Sequence, residues 1–354
     1  MAPKSLKYLF NICSFLAITP CYEQKVTFLR KVYSVLLMIF ITTCVGVSNS
    51  YRQFYGSSMY LRVVTSILME MVLLLFCYHT TMAVVFFKRE QWQQLMKNLK
   101  IIIKALSDDR AISRAASAAI FALTVTLASE IFSFCVWSEA FGMIVHIQQF
   151  NVYYLEFYMF LSCNIFLCFI LSLLLSSYKQ LRRALLQDLF LPLKNVEYSM
   201  RFLKKTVDIF NDIFEWPIAL IIAFSVVHMV HEFDYIIIVI STKTYNVGKE
   251  MAADLLLVLL IFSGTTGLIV MCDLILMEAE KILDLCGDLR RDYVKNPLQK
   301  RRFDDINQLI LENFPKFSGA RFFGISRSTI LRILETVTTF IIISIQFRTS
   351  MINQ

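Results

Sequence analysis

The residues with chemistry to offer are few, and they sit inside apolar runs. His228-Met229-Val230-His231-Glu232 brings two imidazoles and a carboxylate within about one helical turn, and His228, His231 and Tyr235 share a face at i, i+3, i+7 spacing. A His-x-x-His pair could begin a metal site, but no further ligands converge on it in the sequence, so no metal is expected. Neither a His-Glu-x-x-His helix nor a Ser-His-Asp order is present to support hydrolysis. The chain is therefore not expected to be an enzyme or to need a cofactor. Glu70, Glu130 and Asp254 each interrupt an apolar stretch. Acids inside a membrane need a reason, either a function or interhelical hydrogen bonding in the neutral form. Trp137, Tyr153, Tyr154 and Tyr158, with Tyr60, offer aromatic faces with hydrogen-bonding tips. Such side chains suit small organic ligands, and equally an interfacial belt or helix packing.

The elements that must position these groups follow from composition. Of 354 residues, 57% are hydrophobic and 18% charged, against about 45–50% and 25% in a soluble domain. A membrane span needs about 20 largely apolar residues, and seven stretches qualify: 32–48, 61–87, 115–137, 152–178, 216–240, 252–277 and 329–347. The expectation is an all-α, polytopic membrane protein forming one seven-helix domain. Most of the nine cysteines lie in apolar runs and read as small packing residues. The N-terminal run Tyr8–Ile18 follows Lys4 and Lys7 but is interrupted by Asn11 and Ser14. It reads as a retained interfacial helix rather than a signal peptide.

Direction comes from charge. Lys and Arg number five in the N-terminal segment, seven in the second loop, seven in the fourth and ten in the sixth. The other connections hold two, none, two and one, and Arg332 lies in the last span. The positive-inside rule then puts the N-terminus in the cytoplasm and, after seven crossings, the C-terminus outside. That is opposite to a G-protein-coupled receptor, whose last span would also usually carry an Asn-Pro-x-x-Tyr-like motif. The rich loops continue the spans with apolar positions at helical spacing, as in Leu181, Leu185 and Leu189, or Ile282, Leu285 and Leu289. Regions 179–215 and 278–325 are accordingly expected to form a helical cytoplasmic anchor.

The last span is the most patterned. At 100° per residue, Ser328, Arg332, Glu335, Thr339, Gln346 and Ser350 fall on one face with Ile343 as its apolar member. A polar stripe in a bilayer packs against neighbouring helices or lines a water-filled path.

Thr339-Phe340-Ile341-Ile342-Ile343-Ser344-Ile345-Gln346-Phe347 resembles the Thr-Tyr, five hydrophobics, Gln-Phe signature that ends insect gustatory receptors, with Phe340 in place of the usual Tyr. Phe322–Ser328 is similar to the segment that precedes it, with Ser326 where Asp is common, and Leu6–Phe10 followed by Pro20 resembles the family's entry. The resemblance implies a ligand-gated cation channel of the sensory-neuron plasma membrane, a homotetramer or a heterotetramer with related receptors, whose seventh helices line a central pore. Its partners would be a small-molecule tastant, the lipid bilayer and permeant cations, with no nucleic acid. Glu335, Thr339, Ile343, Gln346 and Phe347 would line the pore, Ile343 sealing it by dewetting. The ligand pocket would lie in the external half of each subunit, with Glu70, Glu130, Trp137, Tyr154, Tyr158, His228, His231 and Tyr235 as its candidates. An odorant-type receptor of the same superfamily is the near alternative. A transporter is the distant one, since neither repeats nor broken helices are evident.

Overall fold

The computed structural model describes residues 4–19, 27–51, 60–106, 109–187, 193–242, 248–292 and 297–352. Ten α-helices account for nearly all of them: α1 (Lys4–Phe15), α2 (Phe28–Tyr51), α3 (Tyr60–Met82), α4 (Arg89–Ala105), α5 (Asp109–Phe141), α6 (Met143–Gln187), α7 (Leu193–Thr242), α8 (Gly248–Asp292), α9 (Pro297–Glu312) and α10 (Arg327–Ile352). Seven of these are long and apolar enough to cross a membrane: α2, α3 with the π-helical turn Ala83–Phe87 that follows it, α5, α6, α7, α8 and α10. The polar groups of a backbone in hydrocarbon must be satisfied within the helix, and uninterrupted apolar helices achieve this.

Helix α6 is the centre of the bundle and packs against α2, α5 and α8. Its Phe157, Phe160, Phe166, Ile170 and Leu174 are fully buried. Phe160 meets Phe76 of α3 and Phe224 of α7 at ring-centroid distances of 5.2 and 4.7 Å. Helix α10 is the least buried of the seven and, among the described residues, rests mainly on α7 and α8. Helices α5 and α6 are joined by Gly142 alone, at φ 85°, a conformation that glycine adopts without steric cost. Three helices run well beyond a bilayer's thickness. Past that thickness α9 packs on α7 and α8, and Leu181, Val196, Met200, Ile282, Ile306 and Ile310 are buried. Pro217 lies within α7, where it removes the bond to the carbonyl of Ile213.

Two features refine the expected layout. The N-terminal run forms a helix, α1, that is docked on its own chain. It packs on α5 with Leu6, Leu9 and Cys13 fully buried, because these positions form one helical stripe that α5 covers. Its C-terminus is closed by Ala17 in the left-handed region, with Ile18 N–H donating to the Cys13 carbonyl at 3.0 Å, and Arg30 donates to the Ser14 and Thr19 carbonyls. Second, the anchor is not helical to residue 325. Helix α9 ends at Glu312, and a hairpin follows, pairing β1 (Ser318–Gly319) with β2 (Phe323–Gly324) in antiparallel register. Pro315 cannot continue a helix ladder, and Ala320 and Arg321 both take positive φ at the hairpin's tip.

The hairpin is clipped to α7. Ala320 N–H donates to the Glu215 carbonyl at 2.9 Å, and Arg321 Nε reaches Glu215 Oε2 at 3.3 Å. Asn211 donates to the Lys316 carbonyl, and Asp212 is shared between Lys88 at 2.8 Å and Arg321 at 3.8 Å. Helix α10 leaves the hairpin with Arg327 held by Asp273 of α8 at 2.6 Å.

A cavity at one end of the bundle and an outward polar face

At the end of the bundle opposite the hairpin, α3 starts, α5 ends, α6 starts, α7 ends and α8 starts. The five helices enclose a cavity of about 290 Å³. It is lined by Ser66, Met69 and Glu70 of α3, by Ser133, Trp137 and Phe141 of α5, and by His146, Phe150, Tyr153 and Tyr154 of α6. His231, Glu232 and Tyr235 of α7 and Asp254 and Leu257 of α8 complete it. The walls are fixed by polar contacts between helices. Trp137 Nε1 donates to Asp254 Oδ1 at 3.0 Å, Thr65 Oγ1 pairs with His231 Nδ1 at 2.9 Å, and His146 Nε2 pairs with the Tyr154 hydroxyl at 3.1 Å. Aromatic rings make the surface continuous. Trp137 stacks on Phe141 at 5.2 Å and Phe141 on His146 at 6.4 Å, while Tyr235 tilts against Trp137 at 6.2 Å. His146 is buried, and burial lowers its pKa from the ordinary 6.5. It therefore sits in the wall as a neutral imidazole.

Of the residues singled out in the sequence, Glu70, Trp137, Tyr154, His231 and Tyr235 meet at this cavity, as do Tyr153 and Asp254. His228, Glu130 and Tyr158 do not line it. His228 lies one turn below His231 and is buried against the rings of Phe157 and Phe224, at centroid distances of 6.1 and 5.5 Å. The i, i+3 spacing puts the two histidines on one face, but only the upper one reaches the opening. Glu130 is buried two turns below Trp137 on α5, with Oε1 lacking a hydrogen-bond partner among the described residues. Tyr158 is half-buried one turn below Tyr154. Sequence reasoning missed His146, Phe150 and Glu232 as wall residues. The first two lie in a stretch read as a loop, where α6 in fact begins at Met143. The i, i+4, i+7 spacing of His146, Phe150 and Tyr153 was the available signal. Among the described residues no group of three or more His, Cys, Asp or Glu is arranged to hold a metal ion.

The last helix answers where its polar stripe points. Helix α10 buries Thr329, Ile333, Val337 and Ser344 against its own chain. Ser328, Arg332, Glu335, Thr339, Ile343 and Gln346 are all exposed. The buried and polar stripes are separated by roughly 130° around the helix. Polar packing against this subunit's own helices is thereby excluded for the stripe. Phe347 continues the helix, and its side chain lies outside the described residues.

A helical bundle with seven candidate spans and a cavity among five of its helices is the architecture of a multi-pass membrane protein. The chain belongs to the 7tm Chemosensory receptor family, whose model matches residues 6–351, and it is a multi-pass plasma membrane protein. Among solved structures it is similar to the insect olfactory receptor OR5 from Machilis hrabei in complex with eugenol. The identity is 14%, with 97% of this chain and 98% of that chain covered at a TM-score of 0.72. A second structure of that receptor covers the same shares at 13% identity and a TM-score of 0.65. These likenesses concern the fold. No curated protein matches the chain by sequence.

Proposed function

We propose that the chain is a gustatory-type receptor: a ligand-gated cation channel in which four subunits, alike or related, set their α10 helices around a central pore. The observation that carries this is the outward polar face of α10. Six side chains from Ser328 to Gln346 share one exposed face of a membrane-spanning helix. Glu335 in contact with lipid near the middle of the span would cost on the order of 2.5–3.5 kcal/mol, and Arg332, nearer the start of the span, somewhat less. Water enclosed between subunits removes that cost. In this reading Ile343, 40% exposed on the subunit, closes the pore as a ring, and Gln346 stands beside it towards the helix end. Glu335 and Thr339 line the approach, Glu335 favouring cations.

The inverted orientation belongs to the same proposal and rests on the Lys and Arg bias between loops. It puts the cavity on the extracellular side, where a tastant arrives. The gustatory subtype is supported by the Thr339–Phe347 signature. One observation favours an odorant-type receptor instead, since the two solved structures named above are of an olfactory receptor. Agonist-evoked currents in cells expressing only this chain favour the gustatory type, and a requirement for a coreceptor favours the odorant type. In oocytes, Ile343→Ala raises basal current and Gln346 substitutions change cation selectivity. Unaltered currents from both variants would overturn the pore assignment.

A further inference from the structure

A second pocket, of about 320 Å³, opens at the other end of the bundle, where α4 ends and α5 starts against α6. Its inner wall is apolar, with Ile112 of α5 and Leu173 of α6 buried there. Its outer wall is basic. Lys179 and Arg183 line it from α6, the first half-buried and the second exposed, and no Asp or Glu lines it among the described residues. Gln180 beside them donates from Nε2 to the Ala105 carbonyl at 3.1 Å and so holds the end of α4 to α6.

The charge of this corner is not balanced within the chain. Segments 104–114 and 179–183 carry Lys104, Arg110, Arg114, Lys179, Arg182 and Arg183 against Asp108 and Asp109. Arg182 does not line the pocket and is taken up by Glu278 of α8 at 2.9 Å. Lys179 and Arg183 have no ion pair or hydrogen bond among the described residues. They stand at i, i+4 on one face of α6, about 6 Å apart at Cβ. A phosphomonoester brings about two negative charges at neutral pH and matches such a pair. Ala111 and Ile112, close to the start of α5, add the positive end of a long helix dipole.

The pocket is larger than a phosphate alone. Ser172 and Ser176 line it with hydroxyls that donate to the Phe169 and Ser172 carbonyls at 2.7 and 2.8 Å. Their oxygens remain acceptors, which suits the hydroxyl groups of a polyol ring. Depth and surroundings point to a lipid. From Val152, where the span begins, α6 rises about 40 Å to Lys179, the thickness of a bilayer with its headgroups. Along α5, Ala111, Ala118 and Val125 recur at i+7 and are exposed, so an apolar strip leads from the pocket into the hydrocarbon.

We propose that this pocket binds the phosphorylated inositol headgroup of a membrane lipid, with a phosphomonoester between Lys179 and Arg183 and the acyl chains along α5. Basic pockets between spanning helices at the membrane surface suit such headgroups. The leaflet that supplies the lipid, the cytoplasmic one, rests on the orientation proposed above, whereas the binding chemistry does not.

The test measures binding to purified full-length protein in phosphatidylcholine nanodiscs, both faces of which are open. Short-chain phosphatidylinositol 4-phosphate is compared with phosphatidylinositol, which lacks only the phosphomonoester. The phosphorylated lipid is expected to bind about twentyfold more tightly. Lys179→Gln and Arg183→Gln should each weaken it about fivefold and leave phosphatidylinositol within about twofold, while Lys179→Arg stays near the parent. Ala115→Phe fills the pocket, leaves every charge in place and should abolish the preference. Lys205→Gln removes an exposed cation of α7 that does not line the pocket and should change nothing. Free inositol 1,4-bisphosphate should not displace the lipid at equal concentration. Thermal melts identify any variant that fails to fold, and the others decide. No preference for the phosphorylated lipid, equal losses from Lys205→Gln and Lys179→Gln, or displacement by the free bisphosphate would overturn the assignment. No agonist is used, so each of these outcomes leaves the channel reading standing, and a failure of agonist-evoked currents leaves the lipid site standing.

Discussion

Glu278→Ala tests how the long helices are held together outside the cavity. Glu278 projects from α8 with its side chain 6% exposed and takes two cations. Arg182 Nε of α6 lies 2.9 Å from Oε2, and Lys281 Nζ, one turn along α8, lies 2.9 Å from Oε1. Removing one partner of a buried ion pair costs about 3–5 kcal/mol when the other is stranded. Here Arg182 and Lys281 remain 32% and 48% exposed and can turn to water, which lowers the expected loss to about 2 kcal/mol. A loss of that size changes the folded-to-unfolded ratio about thirtyfold. The assay is thermal unfolding of detergent-solubilised full-length protein followed by size-exclusion fluorescence. Glu278→Ala should melt several degrees below the parent. Glu278→Gln, which still accepts a hydrogen bond from Arg182, should fall between them. Pairing Glu278→Leu with Arg182→Met should recover most of the loss, since the Arg182 charge is removed with its partner and the half-exposed Lys281 can turn to water. A Glu278→Ala melt indistinguishable from the parent, or a double variant no better than the single, would refute the reasoning.

Two further outcomes follow from local geometry. Gly142→Ala should cost about 1–2 kcal/mol through backbone strain alone, because φ is +85° and nothing lies within 4 Å of the added methyl group; the same melt reads it, and Gly142→Asn should cost less. His146 carries a pH dependence. Its folded-state pKa lies below the ordinary 6.5, so the stability it contributes is complete above that value and is lost as pH falls from there through the lowered one. Melts at pH 7.5 and pH 5.5 should differ less in His146→Phe than in the parent, and an unchanged difference would show that acid acts elsewhere.

The seven spans were legible because each is a long, predominantly apolar run, a signal that does not depend on what the helix packs against. The hairpin was not legible as a hairpin. Pro315, Gly319 and Gly324 punctuate the segment, but the tip uses Ala320 and Arg321 at positive φ, where Gly or Asn would have announced it. The cavity was legible at Glu70, Trp137, Tyr154, His231 and Tyr235, which combine polarity with an apolar neighbourhood. Depth was not, because a helical face continues past the point where a neighbour covers it. His228 and His231 share a face, yet Phe157 and Phe224 close over the lower one. The outward direction of the α10 stripe also required the fold. Periodicity gives the stripe's width, and only the positions of α7 and α8 decide which side of α10 is free.

Helix α7 makes the two ends of the protein a single mechanical part. It carries Glu232 at the cavity and Glu215 beneath the hairpin, 17 residues or about 26 Å apart along the axis. Pro217 stands two residues from the clip, so the helix is most easily bent beside the hairpin rather than beside the cavity. That is the geometry of a lever with its fulcrum near one end. A tilt of about 5° at the proline carries the cavity wall through roughly 2 Å over that length. Read in reverse, a displacement of about 2 Å at the cavity wall corresponds to a tilt of a few degrees at the clip, next to the hairpin from which α10 departs.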